Sequence, residues 1–259
     1  MLVALTSCGS SEDIAGQRFE PVTPGLLTVA TSLPAPGFWD GADTDSLTGG
    51  FEYGIARLLA ERFDLEIEVI DVSFERLVAG ELAGADLALA QITITDEREE
   101  RLAFSVPYYT DDAGAVLAAG KELTDLETAT EQRWAVQRGT VEADFLEDVV
   151  QPDDEPTLLE DVVACIDAVA DGRADAALVD LSTALILTQG RSDVTTGGRF
   201  TVDGDMAVAL PSDSPNVEVV DAALRALESD GTLADLEHTF LAPVFETDPS
   251  SVPVVRTPA

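Results

Sequence analysis

The feature that most constrains this chain is an alternation of short apolar runs with amphipathic segments, once over residues 26–90 and again over 134–189. Residues 26–31 (LLTVAT) read as a buried strand. Residues 51–63 place apolar side chains at 51, 55, 58, 59 and 63, which is a helix with one buried face. An alternating strand over 65–72, a short helix over 74–81 and a strand over 85–90 follow. Parallel strands need a crossover, and a helix usually supplies it, so this rhythm predicts a parallel sheet covered by helices. The second pass predicts a strand at 134–136 and a helix from Gly139-Thr140 to about Val150. After the Pro/Asp-rich break at 151–156 come a helix over 161–171, a strand over 174–179 ending at Asp180, and a helix over 182–189. Two such units, separated by residues 108–121, predict two lobes with a crossing segment between them. One more strand over 205–210 and helices over 217–229 and 233–241 close the fold, and the proline-rich tail from Pro243 is expected to be loosely held.

Charge narrows the partners. Fourteen Lys plus Arg against 50 Asp plus Glu give a net charge of −36, which repels phosphate backbones and argues against nucleic-acid binding. The 46% hydrophobic and 25% charged content is that of a folded soluble protein. No apolar run reaches the roughly 18 residues needed to span a bilayer. Of the two cysteines, Cys165 recurs at helical spacing with Val162, Ile166 and Val169 and reads as a core thiol. Cys8 follows Leu5-Thr6-Ser7 and precedes Gly9-Ser10-Ser11, a pattern that resembles a bacterial lipobox. The stretch before it, MLVALTS, lacks a basic segment and is short for a secretion signal, so a truncated start is expected. Residues 9–20 would then be a polar tether.

Catalytic material is scarce. The chain has one histidine, His238, with no acidic or nucleophilic partner visible beside it. Zinc-ligand sets and a Ser-His-Asp arrangement therefore lack components. Gly120-Lys121 is followed by Glu122 rather than completing a phosphate-binding loop, and no GxGxxG follows a strand. No metal and no cofactor are predicted.

Binding groups are better supplied, most densely in residues 84–109, GADLALAQITITDEREERLAFSVPYY. There an apolar strand ends in hydroxyls and an arginine, Thr93 to Arg98. Arginine holds a carboxylate through two parallel hydrogen bonds and keeps its charge. Ligands of open α/β sheets bind at the carboxyl ends of strands. Gly139-Thr140 also follows a strand and opens a helix, offering amides and a hydroxyl to an anion. Asp180 ends a third strand, where a carboxylate can accept an ammonium. Each position has a plainer reading: Arg98 as a solvated partner of Glu97, Glu99 and Glu100, Thr140 as a helix N-cap, and Asp180 as the cap of the next helix.

Six blocks in order, LTVATS, LTGGFEYGIARLLAERF, the 84–109 stretch, WAVQRGT, DGRADAALVD and ESDGTLADLEHTFL, resemble the solute-binding proteins of polar amino-acid ABC importers, the bacterial family 3 type. The resemblance covers residues 26–241 and implies an α/β, two-lobe periplasmic-binding-protein type 2 fold with a central cleft and two crossing hinge strands. It implies a lobe of residues 26–111 plus 206–242, a second lobe of 112–205, a lipoprotein signal and tether over 1–25, and a flexible tail over 243–259. By the same resemblance Arg98 clamps an α-carboxylate, Thr93 and Thr140 donate through hydroxyl or amide, Gly139 adds backbone, and Asp180 accepts the α-ammonium. Departures cluster on the side-chain half of the pocket. The usual stacking aromatic aligns near Ala35, so Phe38 and Trp39 are candidates either to replace it or to pack within the core or a lobe, and Gln91, Gln137 and Arg138 are candidates to face the ligand side chain. The implied protein is a monomer anchored by lipid at Cys8 outside the cytoplasmic membrane, taking a free amino acid to ABC permease subunits. Two alternatives stand beside it. One is a cyclohexadienyl or arogenate dehydratase-like enzyme using Glu52 or Glu142, and the other is a sensor for a membrane signalling partner.

Overall fold

A computed structural model describes residues 18–245 and 248–256; Cys8 and most of the predicted tether lie outside them. The elements, in chain order, are β1 (Leu26–Thr31), α1 (Phe51–Phe63), β2 (Glu66–Asp71), α2 (Phe74–Val78), β3 (Leu87–Ala88), α3 (Asp96–Glu99) and β4 (Leu102–Ala118). They continue with α4 (Leu126–Thr130), β5 (Trp134–Gln137), α5 (Val141–Phe145), β6 (Thr157–Leu159), α6 (Val162–Ala170), β7 (Ala176–Asp180), α7 (Leu181–Thr188) and β8 (Val194–Pro211). Helices α8 (Val217–Ser229) and α9 (Thr232–Phe240) follow.

The strands form one mixed sheet of order β2-β1-β3-β8-β4-β7-β5-β6. Its two wings are parallel, as the helical crossovers require: β1 with β2 and β3, and β5 with β6 and β7. The centre is antiparallel, made by β4 and β8, which run through both wings. Sequence patterning marked only part of these long strands, because Pro107, Asp111, Asp112 and Gly204 sit inside them like turn residues. The ladder shifts register where such residues fall. Asp111 pairs with Gly204, but the next pair is Ala113 with Phe200. At that point the Asp111 carbonyl oxygen lies 2.1 Å from where a Cβ on Gly204 would stand, so only glycine fits.

Separate cores flank the break. On one side α1, α8 and the start of α9 cover the sheet with Phe51, Ile55, Leu59, Val220 and Leu224, and Phe74, Leu77 and Ile92 fill the opposite face. On the other side Trp134, Leu178 and Phe200 form one core, and Cys165, Ile166 and Val179 another. Each large apolar side chain buried this way contributes about 1.5–3 kcal/mol. Cys165 is fully buried, as its spacing predicted, and burial pushes its thiol up to about 12. Among the described residues no helix is long and apolar enough to cross a membrane.

Both ends depart from expectation. Phe19, placed in the predicted tether, is buried and stacks on Phe63 with ring centroids 4.6 Å apart. Nearby, Asn216 donates to the Glu20 carbonyl and accepts from the Glu20 amide. At the other end the tail is not loose over 248–256. Val252 and Val255 are buried, Val254 bridges to Arg199, and Arg256 bridges to Asp125. Two apolar side chains spaced to face inward outweigh the prolines that made the segment read as a tail.

Candidate functional site

The cleft between the two wings is lined by the carboxyl ends of β1, β5 and β7, the segment after β3, and the first turns of α2, α5 and α6. The fold thus brings strand ends distant in sequence around one space, as open α/β sheets do.

Arg98 is buried on α3, whose first turn is capped by the Thr95 hydroxyl accepting from the Arg98 amide. Its Nη1 donates to the Thr93 carbonyl at 2.7 Å and its Nη2 to the Gly139 carbonyl at 3.0 Å, across the cleft. The Phe74 ring lies 5.6 Å from the guanidinium carbon. Two carbonyls and a ring face hold the group in one orientation, leaving its other N–H donors for a guest. Burial lowers the Arg98 pKa, opposed by the charges of Glu142, Asp144, Asp180 and Glu97. The surface partners that the plainer reading offered are not its neighbours in hydrogen bonding, because Glu97 pairs with Arg101.

Asp180 ends β7 and begins α7, yet its side chain makes no capping hydrogen bond. It is partly buried and lines the cleft. Burial, then the charges of Glu142, Asp111 and Glu52, hold it well above the usual carboxylate range. Glu142, in the first turn of α5, is buried beside it and is also raised, by burial first. Arg98 acts against both shifts.

Thr93 and Thr140 line the same space. The Thr140 hydroxyl is engaged as an N-cap, accepting from the Ala143 amide and donating to the Gln137 carbonyl, so the plainer reading of that hydroxyl holds. Gly139 has a φ of +79°, the left-handed region that favours glycine, and it lies across from Glu75, whose Cα would be 3.4 Å from a Cβ placed there. Gln137 lines the cleft and donates to the Glu160 carbonyl. Arg138 does not line it; its Nε lies 3.8 Å from Glu75 Oε2 at the exposed rim.

Gln91 lines the cleft with a backbone φ of +53°, unusual for a residue with a side chain. Glu52 explains it. The Glu52 carboxyl accepts from the Gln91 amide at 2.6 Å, from the Trp39 indole at 2.7 Å and from the Tyr108 hydroxyl. Burial nonetheless holds Glu52 up at about 7 against these three donors. The Gln91 side chain then accepts from the Thr183 hydroxyl of α7 at 3.0 Å.

Phe38 and Trp39 require correction. Both are wholly buried in the first core, Phe38 edge-on to Phe51 and Tyr109 and Trp39 committed to Glu52, and neither lines the cleft. The aromatic wall is Phe74, which patterning had marked only as the start of a helix. Its position just after a strand end was the available signal; Glu142, two residues beyond Thr140, stood out only as a candidate acid of the dehydratase-like alternative. Thr183 gave no such signal. Among the described residues no three metal-ligating side chains come together to hold an ion.

Residues 27–243 match the family described as bacterial extracellular solute-binding proteins, family 3. The L-cystine-binding protein TcyJ of Escherichia coli is 29% identical over 226 residues, 83% of this chain and 82% of that protein. The arginine-binding extracellular protein ArtP of Bacillus subtilis is 25% identical over 255 residues, covering 90% and 91%. Among solved structures, an amino acid ABC transporter substrate-binding protein from Streptococcus pneumoniae, bound to L-arginine, superposes with a TM-score of 0.74 at 28% identity, over 85% of this chain and 93% of that one.

Proposed function

Since the chain belongs to the bacterial extracellular solute-binding proteins of family 3, we propose that it captures one free amino acid between two lobes and delivers it to an ABC import permease. Residues 26–111 with 206–242 make one lobe and 112–205 the other, and β4 and β8 are the hinge strands. A ligand that touches both lobes favours the closed state by its differential contacts. Arg98 takes the α-carboxylate with Thr93 and the backbone around Gly139-Thr140, and Asp180 takes the α-ammonium. Cys8 carries the lipid that keeps a monomeric receptor at the outer face of the cytoplasmic membrane.

One observation carries this reading: a buried arginine, oriented by two backbone carbonyls, shares a cleft with an Asp180 carboxylate that is not used for capping. Opposite charges in one cleft suit a zwitterion, whose own charges offset the burial of each. The relatives named above are binding proteins, which favours capture over turnover. Glu52, one candidate acid for a dehydratase, does not line the cleft and is committed to three donors.

The test is a thermal-shift screen over the amino acids and cystine, followed by calorimetry of Arg98→Ala. Ligand at a thousandfold over its dissociation constant adds about 4 kcal/mol of stability. Removing one partner of a desolvated charge pair weakens binding by at least about tenfold. Unchanged affinity in Arg98→Ala, or no stabilising amino acid at all, overturns the reading.

A further inference from the structure

Resting on that amino-acid reading, we propose that the ligand carries a second positive charge on its side chain, a guanidinium or ammonium, and that Glu142 is its acceptor. Among the described residues Arg98 is the one basic side chain lining the cleft, against three carboxylates, Glu142, Asp161 and Asp180. The head group of any amino acid is neutral overall, so pairing it with Arg98 and Asp180 leaves the excess negative charge in place. Asp161 is partly accounted for, since one of its oxygens caps α6 by accepting from the Ala164 amide at 2.8 Å. Glu142 is not. It is only 5% exposed, faces the cleft, and has no cation within ion-pairing distance among the described residues. A buried carboxylate without a paired cation is costly, and here the like-charged Asp180 lies beside it. A cationic ligand side chain relieves it by direct pairing, whereas a neutral side chain of equal size does not.

L-Arginine and L-citrulline have nearly the same shape and differ in side-chain charge, so calorimetry of this pair, alongside L-lysine and L-glutamine, isolates the effect. In the wild type, arginine and lysine are expected to bind at least about tenfold more tightly than their neutral counterparts. In Glu142→Gln that preference is expected to collapse to near parity, whatever the absolute affinities. Equal binding of arginine and citrulline by the wild type overturns this inference and leaves amino-acid capture standing. A Glu142→Gln variant that retains the full preference also overturns it, as does one that weakens charged and neutral ligands alike, which makes Glu142 part of the head-group site. If no amino acid binds the wild type, the underlying reading fails and this inference with it.

Discussion

Glu52→Gln tests the reasoning about the floor of the cleft through pH. The folded-state carboxyl lies at about 7, raised from 4.5 chiefly by burial. A rise of that size corresponds to about 3 kcal/mol of preference for the protonated form in the folded state, at 1.36 kcal/mol per pH unit. Between 4.5 and 7 the folded protein therefore binds more protons at Glu52 than the unfolded chain does. This contribution to stability is fully present below the unfolded value and is lost as pH rises through 7. Glutamine does not titrate, so the variant lacks this slope. It also has one acceptor oxygen in place of two, leaving either the Trp39 indole or the Gln91 amide facing an NH2 group, a pH-independent penalty of about 1–3 kcal/mol. Urea unfolding of both proteins from pH 4.5 to 8.5 reads the difference directly. The variant should be the less stable at pH 4.5, and a swing of about 3 kcal/mol should erase or reverse that deficit by pH 8.5. A difference that stays constant across this range refutes the argument, and would mean that three donors keep Glu52 ionised like an ordinary carboxylate.

Two further outcomes follow from packing. Val255→Ala should destabilise the chain by about 1–3 kcal/mol in thermal or urea unfolding, because Val255 is buried against the core of Trp134 and Phe200; no change would restore the expectation of a loose tail. Cys165, buried and with its thiol pushed up to about 12, should stay unreactive toward a thiol reagent at pH 8 in the folded protein and react fully in denaturant. Rapid labelling of the native protein would contradict its placement.

How far the sequence alone could lead is set by the range of the forces involved. Helices α1 and α8 run over 51–63 and 217–229, as their spacing predicted, because a helix that buries one stripe writes a local period into the chain. The strand ends near Thr140 and Asp180, and the short helix carrying Arg98, were readable for the same reason, and six ordered blocks sufficed to place the chain in its family. Long-range pairing left no such imprint. Strands β4 and β8 hold their ladder past Pro107 and Asp111 because each lies beside a partner about ninety residues away, so local turn signals are overridden. Phe38 and Trp39 read as ligand aromatics because they follow the early proline loop, but a buried Glu52 and a shared core draw them inward. Phe74, Glu142 and the Gln91–Thr183 contact belong to the cleft only because two walls from separate parts of the chain close on it. The residue types that can hold a zwitterion were therefore determined by sequence. The excess of negative charge they share was decided by the tertiary structure, since burial in one cleft turns separate surface-like carboxylates into a single electrostatic site.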